Sequence, residues 1–215
     1  MIDTNKMLQI IGVQGYKLRV SDSPEENNTA KGDWDALKSD VKNCTKCSLH
    51  KSRTQTVFGC GNKNSDWLFI GEAPGKDEDL KGEPFVGRAG RLLNEIIFSI
   101  GLRREDIYIA NILKCRPPNN RDPSSKEINR CSSYLEQQIK MISPKIIIAV
   151  GKIAAQNLLG SDPSVTIGKL RGAVHSYGSE NIPVVVLYHP AYLLRSPSQK
   201  YKIWSDLQLA RAVMQ

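Results

Sequence analysis

Cys44, Cys47, Cys115 and Cys131 stand in an otherwise polar, basic chain as a C-x2-C pair and a C-x15-C pair. Four thiolates brought together can hold a metal centre, and nothing else in the chain accounts for them as well. Cys44 and Cys47 sit in the hydrophilic stretch Lys42-Asn43-Cys44-Thr45-Lys46-Cys47, where a buried structural cysteine would be out of place. Cys115 is followed by Arg116-Pro117-Pro118, a stiff non-helical turn that can present a sulfur from the end of a strand. Unrelated free cysteines are the plain alternative. Disulfides are not expected: Met1-Ile2-Asp3-Thr4-Asn5-Lys6 is polar and reads as no secretory signal, so the expected compartment is reducing.

Other residues have types suited to a ligand site. Glu72 lies in Gly71-Glu72-Ala73-Pro74-Gly75, a turn that on its own is more often a tight bend than a site. Phe85 is a large ring in the loop Gly82-Glu83-Pro84-Phe85-Val86-Gly87, either a core plug or a platform for a flat ligand. Asn111 falls inside the apolar run Tyr108-Ile109-Ala110-Asn111-Ile112-Leu113. A carboxamide there is costly unless a structural hydrogen bond or a ligand satisfies it. His189 closes another apolar run next to Pro190, a structural histidine or a functional one.

The elements that must position these groups follow from the apolar pattern. Trp67–Ile70, Ile107–Ile112, Lys145–Val150 and Val184–Tyr188 read as four buried parallel strands. Helical patterns at 88–100, 124–142 and 151–160 lie between them, the second opening on Ser124-Ser125-Lys126-Glu127, which resembles a capping box. Strands alternating with helices predict an α/β fold, a sandwich around a parallel sheet, with ligands beyond the carboxyl ends of the strands. Glu72, Asn111 and His189 all follow or close such strands, so the chemically able residues collect at one edge.

Before this domain, residues 5–19 predict a short amphipathic helix weakened by Gly12 and Gly15, and 21–33 (SDSPEENNTAKGD) a flexible linker. The chain has 215 residues, and no apolar run approaches the roughly 18 needed for a membrane span. Lys and Arg number 30 against 22 Asp and Glu, a net charge of +8, which suits a nucleic-acid binder that must displace counterions from phosphates. Basic residues concentrate at 112–131 (Lys114, Arg116, Arg121, Lys126, Arg130) and near the C-terminus (Arg195, Lys200, Lys202, Arg211).

GEAPG-x-x-E-D, PFVGRAG, Asn111-Ile112-Leu113-Lys114-Cys115-Arg116-Pro117-Pro118 and His189-Pro190-Ala191-Tyr192-Leu193-Leu194-Arg195 together resemble the family 4 uracil-DNA glycosylases, base-excision enzymes with a 4Fe-4S cluster. The likeness runs from about Trp34 to the C-terminus in the family's order and spacing, so the expected domain is 34–215. It implies a three-layer α/β/α sandwich around a four-stranded parallel sheet. Cys44, Cys47, Cys115 and Cys131 match the cluster ligands. Phe85 would stack on a flipped uracil, and Asn111 would read its N3–H and O4. The backbone of Gly71 to Ala73 would frame the base, and Glu78 matches a position implicated in excluding the thymine methyl. His189 would donate to uracil O2, and Glu72 would position or activate the attacking water. Arg88, Lys114, Leu194 and Arg195 would contact DNA, with Leu193 or Leu194 as a wedge. The implied protein is a monomer of the bacterial cytosol acting on uracil-containing DNA, single- or double-stranded, with no membrane partner.

Breaking an N-glycosidic bond passes through an oxocarbenium-like sugar and an anionic base, so a donor for the base and a nearby carboxylate are the required chemistry. Three departures from related patterns stand out. Cys60 makes a fifth cysteine and is expected not to be a ligand. Ala73 and Gly75 occupy positions where the family 1 enzymes carry a carboxylate and a tyrosine, which leaves water activation to Glu72 or to less direct stabilisation. The loop from Cys115 to Cys131 contains no histidine able to trap the sugar covalently, so turnover is expected. Zinc is the rival metal on spacing alone, and a DNA-binding or damage-sensing module is the rival function. A phosphate-binding loop at GEAPG lacks its Lys-Ser/Thr ending.

Overall fold

The computed structural model describes residues 33–215, and the expected helix at 5–19 and linker at 21–33 lie outside them except for Asp33. Asp33 caps the first helix, α1 (Trp34–Lys42), its Oδ1 accepting from the backbone N–H of Asp35 and Ala36.

The four apolar runs form strands β2 (Trp67–Gly71), β3 (Tyr108–Asn111), β4 (Ile146–Val150) and β6 (Ile182–Leu187). They lie side by side and parallel in the order β3-β2-β4-β6. The sheet is nevertheless mixed and six-stranded, which corrects the expected all-parallel, four-stranded sheet. A two-residue strand, β1 (Cys60–Gly61), pairs antiparallel with β3, and β5 (Val174–Tyr177) pairs antiparallel with β6. Neither edge carries an apolar run. β1 is too short for one, and β5 alternates exposed and half-buried residues because one of its sides faces solvent.

Alternation along the central strands divides the core. In β2, Trp67 and Phe69 face one side and Leu68 and Ile70 the other. The first side packs against Leu93, Ile96 and Ile97 of α3 (Arg88–Phe98), Leu193 of α7 (Pro190–Arg195), and Ile203 and Leu207 of α8 (Lys200–Val213). Here α2 is the short helix Lys76–Lys81 after the GEAPG turn. The second side packs against Leu135, Ile139 and Ile142 of α4 (Ser125–Ile142) and against α5 (Lys152–Leu159) and α6 (Ile167–Leu170). Helices therefore cover both faces of the sheet, the layering expected of an α/β/α sandwich. The predicted capping box is present: Glu127 N–H donates to Ser124 Oγ at 3.4 Å and Ser124 N–H to Glu127 Oε2 at 2.9 Å.

A third apolar cluster lies outside these layers. It joins Leu37 and Val41 of α1, Leu49, Phe58, Leu113, Cys115, and Cys131 and Tyr134 of α4. All four metal-type cysteines belong to it or pack against it. No helix among the described residues is long and apolar enough to cross a membrane.

Fold also separates Leu193 from Leu194. Leu193 is buried in the core, whereas Leu194 is 37% exposed. Leu193→Ala should cost about 2–5 kcal/mol in urea unfolding and Leu194→Ala less than about 0.5 kcal/mol. Equal losses at the two positions would contradict this placement.

Candidate active site

Strand register sets the floor of a cavity at the carboxyl ends of β2 and β3. Gly71 and Asn111 end β2 and β3 as direct neighbours. A Cβ on Gly71 would lie 2.4 Å from Asn111 Oδ1 and 2.7 Å from the Phe85 ring, so only glycine lets those two groups meet over the strand ends. Phe85 holds a φ of 52°, a left-handed backbone that a bulky residue rarely adopts. Its surroundings fix it there. A Cβ on Gly90 would stand 1.9 Å from the Phe85 carbonyl oxygen, so the first turn of α3 needs glycine at that point. Arg104 donates from Nη1 to that carbonyl at 3.3 Å and from Nη2 to the Pro84 carbonyl. The Glu78 carboxylate accepts from Gly75 N–H at 3.1 Å, Val86 N–H at 2.9 Å and Gly87 N–H at 3.1 Å. Glu78 therefore staples the GEAPG turn to the Phe85 loop, although it also reaches the cavity wall.

The cavity holds about 420 Å³ and brings together Glu72, Ala73, Glu78, Phe85, Asn111 and His189. Asn111 is 2% exposed, and its Oδ1 is buried without a hydrogen-bond partner. An acceptor in that state is costly until a donor meets it. His189 caps α7, its Nδ1 accepting from Ala191 N–H at 3.2 Å. Burial, reinforced by the charge of Arg195, pushes its pKa down to about 4. A neutral ring whose Nδ1 is an acceptor carries its proton on Nε2, so His189 has a neutral N–H to offer. Gly151 (φ +101°) makes room for it, since a Cβ there would lie 3.1 Å from His189 Cβ. The Phe85 and His189 rings stand 5.7 Å apart.

Glu72 is half-buried, and burial, together with the negative charge of Asp122, lifts its pKa to about 7. Asp122, with Pro117, Asn120 and Arg121, comes from the loop after β3, which forms one wall of the cavity. Arg121 is tied to Glu127 by two bonds of 2.9 and 2.6 Å, which anchors that loop on the cap of α4. Asp122 and Arg121 were not among the expected site residues. Their only signal is a polar run, Asn119-Asn120-Arg121-Asp122, that looks like any surface loop.

Cys44, Cys47, Cys115 and Cys131 line a separate small cavity, together with Arg53, Lys114 and Tyr134. Arg53 Nη1 donates to Cys115 Sγ at 3.1 Å and Lys114 N–H to Cys131 Sγ at 3.4 Å. Burial lifts the Cys131 thiol to about 11, opposed by the charge of Lys114. Among the described residues, no three His, Cys, Asp or Glu side chains converge as a single metal ion requires. Cys60 does not line this cavity. It sits on β1, packs against the opposite core, and accepts from Arg104 Nη2 at 3.2 Å.

Of the expected DNA-contacting residues, Arg88, Leu194 and Arg195 are exposed. Lys114 is not, and that expectation is corrected. Its side chain is 1% exposed, and Nζ donates to the Asn111 carbonyl at 2.9 Å and to Gln138 Oε1 at 2.6 Å. Its apolar neighbours on either side, Leu113 and Cys115, point to why: the segment runs through the third core cluster rather than over the surface.

Residues 58–208 match the sequence family described as the Uracil DNA glycosylase superfamily. Similar proteins include the type-4 uracil-DNA glycosylase of Archaeoglobus fulgidus, 46% identical over 179 residues, covering 81% of this chain and 89% of that one. The type-4 enzyme of Thermotoga maritima is 43% identical over 176 residues, covering 80% of this chain and 90% of its own. That of Saccharolobus solfataricus is 42% identical over 185 residues, covering 84% and 86%. The chain belongs to the uracil DNA glycosylase superfamily, and its relatives at this level of identity are the type-4 enzymes.

Because Glu78 accepts three backbone bonds, Glu78→Gln should destabilise the fold by about 1–3 kcal/mol and speed hydrogen exchange at the Val86 and Gly87 amides. Unchanged protection at both amides would remove its role as a staple.

Proposed function

We propose that the 420 Å³ cavity receives a uracil turned out of DNA and that Asn111, Phe85, His189 and Glu72 carry out its recognition and release. Uracil removal in DNA repair is the activity of the enzymes to which this chain belongs, and the chain is a uracil-DNA glycosylase. The observation that carries the assignment of residues is the buried, partnerless Oδ1 of Asn111 beside the Phe85 ring. In this reading Oδ1 accepts uracil N3–H and the Asn111 amide donates to O4. Cytosine presents the reversed pattern, a bare N3 and an amino group, and leaves both ends of the amide unmet, a loss that discriminates strongly. Phe85 stacks on the ring, offsetting part of the few kcal/mol lost on leaving the duplex.

In the bond-breaking step the C1′–N1 electron pair leaves with the base. Negative charge builds on uracil O2, where the neutral His189 donates Nε2–H. One preorganised donor of this kind contributes about 3 kcal/mol. Water attacks the sugar cation at C1′, and its proton passes to the Glu72 carboxylate, leaving an abasic site. A carboxylate with a pKa near 7 is matched to that task at neutral pH. Arg88 and Arg195 supply phosphate contacts at the rim, and Leu194 fills the gap in the stack.

The donor set of the thiolate cavity fits a 4Fe-4S cluster held by Cys44, Cys47, Cys115 and Cys131. Tetrahedral zinc needs four sulfurs at about 2.3 Å from one point. The four cysteines would hold a cluster through sulfurs that line one cavity, where Arg53 and the Lys114 amide hydrogen-bond to those of Cys115 and Cys131. Bound there, the cluster would contribute cross-linking of three segments rather than electron transfer. Cys60 takes no part.

The reading is tested with a uracil-containing oligonucleotide, followed by alkaline cleavage at abasic sites. Uracil strands should be cut, and matched cytosine and thymine strands should not. Binding without release would instead indicate a DNA-binding module. A deprotonated Glu72 predicts kcat/KM rising as pH rises through about 7 and levelling above it. Glu72→Gln should lose that limb and roughly 100-fold or more in rate. A wild-type profile flat from pH 5 to 9 would remove Glu72 as the base. Visible absorbance near 400 nm should survive Cys60→Ser and vanish in Cys44→Ser or Cys131→Ser. The reverse pattern would reassign the ligands.

A further inference from the structure

A second cleft of about 550 Å³ opens beside the uracil pocket and shares Glu72, Asp122, His189 and Arg195 with it. The wall that it does not share carries Lys152, Thr166, Gly168, Tyr188 and Tyr192, with no acidic residue among them. The two tyrosine rings lie 5.0 Å apart at 38°, and both are half-buried. Tyr188 is backed by cations: the Arg171 guanidinium stands 5.3 Å from its ring centre and the Lys202 ammonium 5.9 Å. Nothing in the chemistry of uracil release uses these tyrosines.

We propose that this cleft is a second nucleobase subsite, in which the base adjoining the uracil on the same strand stacks on Tyr192. The inference rests on the uracil reading of the first pocket. Turning one base out of a strand deprives its neighbour of a stacking partner on that side. An aromatic face at the adjoining position replaces it, and stacking of this kind tolerates any base. Continuity fixes which nucleotide is meant. Glu72 and His189 flank the scissile bond, so the sugar of the uracil nucleotide lies at the junction of the two cavities, and the next residue of the strand enters the second. Lys152 and Arg195 bear the charge suited to its phosphate. The acidic residues stay on the shared wall, facing the sugar.

The test uses the full chain with its metal centre and single-stranded oligonucleotides in which the base immediately 5′ or 3′ of uracil is replaced by an abasic spacer that keeps the phosphate. In the wild type, a spacer at one of the two positions should raise KM about 10-fold, within the range that loss of one stacked base produces. Tyr192→Leu keeps an apolar side chain in place but has no ring. It should raise KM similarly on the ordinary strand, and the spacer should then add little more. Tyr192→Phe should restore wild-type behaviour. A 2-aminopurine at the same position, in a strand carrying a non-cleavable uracil nucleotide, should lose fluorescence on binding the wild type and not on binding Tyr192→Leu. If neither spacer alters KM while uracil is released normally, the subsite is refuted and the first pocket stands. If no uracil is released at all, the underlying reading fails instead. Additive effects of spacer and variant would also overturn the proposal, because Tyr192 would then act elsewhere.

Discussion

One buried ammonium ties the two halves of the functional region together. Lys114 is almost wholly removed from solvent, an arrangement that costs several kcal/mol unless the charge is met by oriented dipoles or counter-charge. Burial lowers its pKa to about 8, with the Cys131 sulfur opposing that shift, so it remains largely cationic at neutral pH. Its Nζ is met by the carbonyl of Asn111 and by Gln138, whose amide in turn donates to the Phe58 carbonyl at 2.9 Å. The strand end that carries the pocket's free amide is thus bonded, through one side chain, to the helix that carries Cys131. Burial pushes the neighbouring Cys131 thiol toward its protonated form, with a pKa of about 11, and the Lys114 ammonium opposes that shift.

The pocket itself is a set of groups held where they are not locally comfortable. Phe85 keeps a left-handed backbone, Asn111 an unpaired oxygen, and Glu72 and His189 are both shifted by burial toward their neutral forms. None of these states would persist without rigid surroundings. Glu78 and Arg104 provide them from opposite sides of the Phe85 loop, one accepting its N–H groups and the other donating to its carbonyls. Gly71 and Gly90 provide them by absence, leaving space that a methyl group would occupy. In the proposed function a base would meet donors and acceptors already in place, the condition under which electrostatic stabilisation is most effective.

Much of this was legible in the sequence, for reasons that differ by element. The four inner strands could be read because each is buried on both faces and forms an unbroken apolar run. β1 and β5 could not, since an edge strand needs apolar residues on one side at most. Asn111 and His189 stood out because polar groups at the ends of apolar runs must find partners. Asp122 and Arg121 did not, because their importance comes from where the loop after β3 folds back, and a polar loop looks the same wherever it folds. Lys114 was misplaced for a related reason. A lysine in a basic segment is usually a solvated one, and only the tertiary position of Gln138, 24 residues further on, reveals a buried acceptor for it.

That misplacement changes how the positive charge of the molecule is to be understood. A basic segment next to an active site invites the view that all of its cations face DNA. In this chain the cations have separate duties. Lys114 is internal and acts on the backbone of Asn111, Arg121 is engaged by Glu127, and Arg104 holds the Phe85 loop. Arg88 and Arg195 are left exposed near the pocket rim, and Lys152 lines the adjoining cleft. A net charge of +8 suits a protein that meets nucleic acid, but the residues that shape the site are the cations whose charge is already satisfied within the fold. Those satisfied charges are what hold the left-handed backbone of Phe85 and the strand end of Asn111 in position.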